Sequence, residues 1–317
     1  MAIEILKEKY TGRIKEETLG VGEAAVKIGG AAALPFHGFE GEIPNPPKIA
    51  MEVYDTAPED WAEAAVEPFK EVINDPVAWA KLVVERYGAD LVCLQLAGTD
   101  PGGANKSAAE SAKLAEQIVG GLAGTPLIVY GTGKVEKDTE VLKAVAERCT
   151  GSNLLLGPVK EENYRFIGAA AIGYKHGVVA QTPIDVNLAK QLNILLGNLG
   201  VPMDKIVMDT TTGALGYGIE YTYSVMERIR IAALTTNDEK MQLPILCDVG
   251  RESWKCKEAK ISEREAPELG PARERGILWE AMTAMSLAMA GADILVMRHP
   301  EAIRLVRETM GEVAKCD

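Results

Sequence analysis

Polar side chains that could do chemistry recur in this sequence directly after short apolar runs. The most distinctive segment, residues 208–221, reads MDTTTGALGYGIEY and combines an aspartate, three threonines and three glycines. Glycine lets the backbone approach a ligand closely, and hydroxyl and amide groups can donate hydrogen bonds to it. The candidate binding residues of this segment are Asp209, Thr210, Thr211, Thr212, Gly213 and Gly216. The same composition also suits a flexible loop in which threonine caps the next helix, so both interpretations stay open.

Two further aspartates follow other apolar runs. Asp185, with Asn187 in the segment QTPIDVN, could pair with the hydrogen-bonding edge of a ring such as a pterin. It is also placed to cap the helix that follows, which is the favoured interpretation. Asp209 and Asp248 could act as acid and base or as hydrogen-bond anchors, and they could equally bind neighbouring arginines.

The composition excludes several classes of function. A net charge of −12 argues against nucleic acid, whose phosphates require a basic surface. The longest apolar stretch, residues 276–297, contains Glu280 and Asp293 and is too polar for a membrane span. The chain shows no signal segment at its start, so we expect a cytoplasmic protein.

The histidines and cysteines do not have the spacing of metal ligands. The five cysteines include no C-x-x-C pair, and none of the three histidines has a second ligand at a suitable spacing. We therefore predict no metal ion and no iron–sulfur cluster bound by this chain. His176 is expected to be exposed at the end of a helix, and His299, which precedes a proline, is expected to begin one.

Eight apolar runs, each followed by a segment with helical periodicity, position these polar residues. The runs start at residues 49, 90, 126, 153, 178, 205, 244 and 293, and they are continuous, as in strands buried on both faces. The alternation predicts an α/β fold, a (β/α)8 TIM barrel, in which the carboxyl ends of the strands share one mouth. We predict an N-terminal extension over 1–48 and a barrel over 49–317, forming a single domain overall.

Two segments exceed what a barrel needs. Residues 33–47 contain four prolines together with Phe36 and Phe39, which suggests an ordered arm that docks onto its own barrel or onto another subunit. Residues 251–270, after the seventh run, are half charged and are predicted to form either a solvated loop or a flap that contacts a partner.

Four segments resemble one known family. They are residues 33–53, ALPFHGFEGEIPNPPKIAMEV; 181–196, QTPIDVNLAKQLNILL; 210–230, TTTGALGYGIEYTYSVMERIR; and 276–302, GILWEAMTAMSLAMAGADILVMRHPEA. They resemble the small subunit of the corrinoid iron–sulfur protein, also called the delta subunit of the acetyl-CoA decarbonylase/synthase complex, in its acetogenic bacterial form. The resemblance covers nearly the whole chain.

The resemblance implies a TIM barrel that forms a heterodimer with a large subunit. The large subunit of that family carries the [4Fe-4S] cluster and the cobalamin-binding domain. The cobalt accepts a methyl group from methyltetrahydrofolate through a separate methyltransferase. It delivers the methyl group to acetyl-CoA synthase/CO dehydrogenase in the Wood–Ljungdahl pathway of anaerobic carbon dioxide fixation.

The residues of this chain agree with such a division between subunits. The cobalamin signature D-x-H-x-x-G is absent, because the residues two positions before the histidines are Pro35, Tyr174 and Met297. We therefore expect the barrel mouth to cover one face of a corrinoid held mainly by the large subunit. The expected corrinoid-facing residues are the candidates given above: Asp185, Asp209, Thr210, Thr211, Thr212, Gly213, Gly216 and Asp248. No catalytic turnover by the chain alone is expected.

Two other functions fit a barrel. The first alternative is a pterin-binding TIM-barrel methyltransferase that acts on methyltetrahydrofolate, with Asp185, Asn187 and Asp209 holding the ring. The second is a lyase or aldolase, which would need a Schiff-base lysine or metal ligands at the strand ends. Lys134 and Lys205 are the nearest lysines, and neither is suitably placed.

Overall fold

The computed structural model describes residues 6–314, in which ten strands form two sheets. A short hairpin pairs β1 (Glu17–Leu19) with β2 (Val26–Ile28). The eight barrel strands are β3 (Lys48–Tyr54), β4 (Leu91–Gln95), β5 (Leu127–Tyr130), β6 (Leu155–Val159), β7 (Gly177–Gln181), β8 (Ile206–Asp209), β9 (Leu246–Asp248) and β10 (Ile294–Met297). Each of the eight coincides with one of the apolar runs.

Helices connect these strands. They are α1 (Glu63–Val66), α2 (Pro76–Glu85), α3 (Ala108–Gly121), α4 (Val135–Arg148), α5 (Tyr164–Tyr174), α6 (Val186–Leu199), α7 (Ile219–Thr235), α8 (Val249–Lys255), α9 (Lys257–Lys260), α10 (Ala272–Ala290) and α11 (Pro300–Val313). Capping residues fix several starts: Asp75 caps α2, and Ser107 and Glu110 form a capping box on α3. No helix within residues 6–314 is long and apolar enough to cross a membrane.

The eight parallel strands close into a barrel. Their order in the sheet is β8-β7-β6-β5-β4-β3-β10-β9. The two end strands meet through a parallel bridge between Met208 and Ile245, where the Met208 N–H donates to the Pro244 carbonyl at 2.8 Å. The predicted TIM barrel is confirmed.

Alternate strand residues serve two apolar layers, which explains why the runs are continuous. On β4, Leu91 and Cys93 point into the barrel, where they join residues such as Ile128 and Val207. Val92, between them, packs in the shell beneath the helices. Because both faces of every strand are covered, no polar alternation is possible in these runs.

The β1–β2 hairpin covers the amino end of the barrel. Leu19 and Ile28 are fully buried and join the apolar cluster of the barrel interior. The Asn153 side chain, at the start of β6, donates to the carbonyls of Thr18 and Gly20 at 2.8 and 3.0 Å. The proline-rich arm that follows docks onto its own barrel, because Phe36 packs against the core.

Residues 251–270 contain most of α8, α9 and a short 3-10 turn, and Trp254 within them is buried; their contact with a partner stays a prediction. One local expectation is wrong. His176 is buried rather than exposed: its Nδ1 accepts from the Leu154 N–H at 3.1 Å, and its Nε2 donates to the Ala146 carbonyl at 2.9 Å. It joins two neighbouring elements, and burial lowers its pKa.

Candidate functional site

Two adjoining cavities lie at the carboxyl ends of the strands, which is the functional face of this fold. Each has a volume of about 220 Å³, and both are lined by Gly131, Thr132 and Arg251. The first extends toward Tyr54, Trp61 and Arg298. The second is lined by four of the predicted site residues, namely Asp209, Thr211, Thr212 and Asp248.

Asp209 ends β8 and belongs to a network that spans three strands. Its Oδ2 accepts from the Tyr130 hydroxyl and, at 2.9 Å, from the Gln181 amide. The Gln181 amide also donates to the Tyr130 oxygen at 2.8 Å. Burial raises the pKa of Asp209, and the hydrogen bonds from Tyr130 and Gln181 oppose that rise. Asp209 is therefore anchored to the barrel wall.

Asp248 ends β9 and is the most strongly perturbed acid of the mouth. Its backbone N–H donates to the Thr212 hydroxyl at 2.8 Å, which ties β9 to the loop after β8. Burial and the neighbouring charge of Glu52 raise the pKa of Asp248 well above its usual value. The shift favours the protonated form of this carboxyl group, which can donate a hydrogen bond.

Glu52 and Arg298 form a buried ion pair across two neighbouring strands. The Arg298 Nε lies 2.7 Å from Glu52 Oε2, and both side chains are almost fully buried. The Arg298 guanidinium also stacks on Trp61, with its carbon 3.7 Å from the ring centroid. This stack forms one wall of the first cavity.

The threonine–glycine loop after β8 is held by internal hydrogen bonds. The Thr211 N–H donates to Asp209 Oδ1 at 2.8 Å, and the Gly213 N–H donates to the Thr222 hydroxyl at 2.8 Å. A Cβ atom at Gly213 would lie 2.6 Å from the backbone of Gly218, so only glycine fits this close approach. These contacts hold the loop against the wall of the mouth.

The structure brings the predicted site residues together only in part. Thr210, Gly213 and Gly216 line neither cavity: Thr210 is buried, and Gly216 lies near Trp279 of α10. Asp185 lines neither cavity. Its carboxylate accepts from the N–H groups of Asn187 and Leu188 at 2.7 and 3.0 Å and caps α6.

Sequence reasoning missed four residues of the mouth: Glu52, Tyr54, Trp61 and Tyr130. Glu52 had a usable signal, because a single charge in the middle of an apolar strand must be paired when it is buried. Tyr54 and Tyr130 end their strands as apolar residues and carried no comparable signal. His299 begins α11 as expected, and its Nδ1 accepts from the Glu301 N–H at 3.1 Å. Across residues 6–314, no group of three or more potential ligands could hold a metal ion.

The fold and this polar mouth define the class: a TIM barrel whose binding face is the carboxyl end of its strands. The chain is similar in structure to dihydropteroate synthase from Xanthomonas albilineans, with a TM-score of 0.57 and 15% identity over 95% of this chain and 98% of that one. The enzyme from Vibrio fischeri ES114 gives a TM-score of 0.57 at 14% identity, covering 95% and 99% of the two chains. At these identities the likeness concerns the fold.

The sequence comparisons identify the family. Residues 16–310 match the family described as CO dehydrogenase/acetyl-CoA synthase delta subunit. The acetyl-CoA decarbonylase/synthase complex subunit delta of Archaeoglobus fulgidus is 37% identical over 96% of this chain and 69% of its own length. That of Methanopyrus kandleri is 39% identical, with coverages of 93% and 72%. The chain belongs to the CO dehydrogenase/acetyl-CoA synthase delta subunit family.

Proposed function

We propose that this chain is the small subunit of a corrinoid methyl carrier and that its barrel mouth covers one face of a corrinoid held mainly by a large partner subunit. Family membership supports the proposal, because the relatives are named as delta subunits of an acetyl-CoA decarbonylase/synthase complex. The corrinoid itself follows from the family resemblance of the sequence. The same resemblance assigns the [4Fe-4S] cluster to the large subunit.

The size of the mouth cavities is the observation that supports a corrinoid held mainly by the large subunit and covered on one face by this chain. Each cavity has a volume of about 220 Å³. Pockets that enclose a drug-sized ligand have volumes of about 300–1,000 Å³, and a corrinoid is larger than such ligands. Neither of these two cavities can enclose a corrinoid, which supports a role in which the mouth presents a surface to it.

The donors and acceptors of the mouth fit such a surface. The rim of a corrinoid carries amide groups, which both donate and accept hydrogen bonds. Asp248 and Asp209 both line the second cavity: in its protonated form Asp248 would donate to an amide carbonyl, and an Asp209 oxygen would accept from an amide N–H. Thr211 is exposed at the edge of the second cavity; its hydroxyl donates to the Thr182 carbonyl at 2.8 Å and can accept from an amide N–H.

The bound corrinoid would supply the cobalt that carries the methyl group. The residues of this chain would hold the rim of the ring and exclude water from one face, which protects a readily oxidised centre. The methyl donor and acceptor must also reach that centre, so the cover has to open during the cycle. We propose three partners: the large subunit, a methyltetrahydrofolate:corrinoid methyltransferase and acetyl-CoA synthase/CO dehydrogenase. We also propose a cytoplasmic location.

The test uses the heterodimer reconstituted with the large subunit and loaded with cobalamin. After reduction to Co(I), the loss of its absorbance is followed under a controlled low level of oxygen. Thr211→Glu adds a charge at the exposed edge of the mouth. We expect severalfold faster oxidation of Co(I), because the mouth no longer packs closely against the corrinoid. Thr235→Glu, at the far end of α7, is the matched control and should behave as the wild type.

Two outcomes would contradict the proposal. One is an unchanged oxidation rate in Thr211→Glu, and the other is tight stoichiometric binding of cobalamin to the isolated chain. A titration of the isolated chain with methyltetrahydrofolate distinguishes the alternative function from the proposed one. Micromolar binding there would favour the pterin-binding methyltransferase, for which Asp185 would have to give up its cap on α6.

A further inference from the structure

Arg251 lies between the two cavities of the barrel mouth. It lines both of them, and a third of its side chain is exposed. Its positive charge also opposes the effect of burial, which raises the pKa of Tyr54, Tyr130 and Asp209. These residues end β3, β5 and β8.

The guanidinium of Arg251 makes no hydrogen bond to any group within residues 6–314. Its nearest carboxylates are Asp248 at 3.9 Å and Glu252 at 3.8 Å, both beyond hydrogen-bond distance. The five N–H groups of an arginine form a planar fork that matches the two oxygens of a phosphate or carboxylate. An arginine that lines both cavities with an unused fork is therefore positioned for a ligand.

Arg251 is the cation of the first cavity whose carboxylate partners are most distant. The charged lining residues are Arg251, Lys255, Lys260, Arg298, Asp60 and Asp100. Arg298 and Lys255 have carboxylates at 2.7 Å, and Lys260 has one at 3.5 Å. The charge of Arg251 is therefore the one most available to a phosphate group, which carries up to two negative charges at neutral pH.

The helix that carries Arg251 is fixed before any ligand arrives. Trp254, three residues further along α8, is fully buried, and its indole N–H donates to Glu280 at 2.7 Å. The same Glu280 accepts from the backbone N–H groups of Arg298 and His299. This arrangement locks α8 against β10 and α10, so that the backbone that carries Arg251 does not have to be ordered on binding.

We propose that the first cavity binds a phosphate group, with Arg251 as its bidentate anchor and with Lys255 and Lys260 at its edge. The volume of about 220 Å³ suits a phosphate with a small body attached. The phosphate could belong to the nucleotide tail of a complete corrinoid or to a separate phosphorylated molecule. The site itself does not depend on the corrinoid.

The test titrates the full chain with inorganic phosphate at constant ionic strength and follows tryptophan fluorescence, because Trp61 and Trp254 line the cavity. We expect a saturable change in the wild type. Arg251→Gln should weaken binding at least about tenfold, as expected for the loss of charge-assisted hydrogen bonds. Arg228→Gln, on the outer face of α7, is the control and should bind as the wild type.

Non-saturating changes in the wild type, or equal affinities of wild type and Arg251→Gln, would overturn the proposal. If Arg251→Gln does not fold, as judged by circular dichroism, the double variant Lys255→Gln/Lys260→Gln replaces it. Both lysines are partly exposed, and their joint loss should weaken phosphate binding severalfold. Unchanged binding in that variant would equally contradict the site.

A second arm identifies the source of the phosphate in the reconstituted heterodimer. Cobinamide lacks the nucleotide tail and its phosphate. If the tail is the ligand, Arg251→Gln weakens retention of cobalamin and leaves that of cobinamide unchanged. Equal retention of both corrinoids in wild type and variant assigns the site to a separate phosphorylated molecule. Failure of the corrinoid cover, seen with Thr211→Glu, would leave the phosphate titration unaffected.

Discussion

The two ends of the barrel both bury carboxylates, but they do so in different ways. At the mouth, Glu52 is paired with Arg298 at 2.7 Å, and Asp209 accepts hydrogen bonds from Tyr130 and Gln181. At the opposite end, both oxygens of Glu17 are buried without a hydrogen bond, and the nearest cation is 4.0 Å away. The mouth therefore contains a polar network between strands, whereas the covered end holds Glu17 in isolation, apart from the buried Arg230–Asp293 ion pair before β10.

The difference shows what burial does when partners are present or absent. Burial raises the pKa of Glu17 to about 8, and only the more distant charge of Lys205 opposes it. Because this pKa lies above neutral pH, Glu17 remains protonated there. The acids of the mouth instead lie among arginine side chains and hydroxyl groups. A ligand that binds there can compensate their charge.

Breaking the buried ion pair of the mouth should have the largest effect. Arg298→Met leaves Glu52 without a partner, and we expect the free energy of unfolding in urea to fall by about 3–5 kcal/mol. Arg304→Met removes an exposed pair with Glu308 and should change stability by less than about 1 kcal/mol. Similar losses in the two variants would show that the mouth network does not stabilise the barrel.

Removing the isolated acid of the covered end should abolish a pH dependence. The folded pKa of Glu17 is about 8 and its model value is 4.5, so the folded state retains a proton that the unfolded state loses. Stability from this proton is complete below pH 4.5 and is lost as the pH rises to 8. Relative to Glu17→Gln, the wild type should lose up to about 1.4 kcal/mol per pH unit in that window.

Urea unfolding of both proteins at several pH values measures this difference. Glu16→Gln provides the matched control, because Glu16 is the neighbouring residue but is exposed and paired with Lys27. A constant difference between wild type and Glu17→Gln across the window would mean that the acid is not buried in isolation.

The smallest effect is expected at the rim. Asp185→Ala removes the cap of α6 and should lower stability by about 1 kcal/mol, whereas Asp185→Asn retains a good capping residue and should be nearly neutral. The Asp185→Asn variant also tests whether Asp185 belongs to the corrinoid-facing site. If Asp185 faces the corrinoid, Asp185→Asn alters the Co(I) oxidation rate at unchanged stability, and an unchanged rate restricts its role to the helix.

The fold could be predicted because its signals are local. Continuous apolar runs, capping residues such as Asp75 and Ser107, and glycines after the helices each act within a few residues of chain. Their number and alternation then leave few arrangements other than a closed parallel barrel. The burial of Trp254 and His176 was missed because it depends on contacts with residues more than twenty positions away.

The site could be predicted only at the level of its face. The ends of the strands indicated where Asp209, Asp248 and Arg251 would lie. Nothing in the sequence showed that Tyr130 and Gln181 would hold Asp209, or that Arg251 would be left without a hydrogen bond. Those outcomes depend on which strand ends face each other across the mouth, and this is set by the closed barrel as a whole.

The hairpin at the amino end has a consequence for access to the barrel interior. Leu19 and Ile28 cover the amino side of the cluster that contains the buried Cys93, so the carboxyl side is the more open approach for water, oxygen or a thiol reagent. A partner bound over the mouth therefore limits the access of small molecules to the barrel interior. The rate at which a reagent modifies the Cys93 thiol would then report how often that partner leaves the mouth.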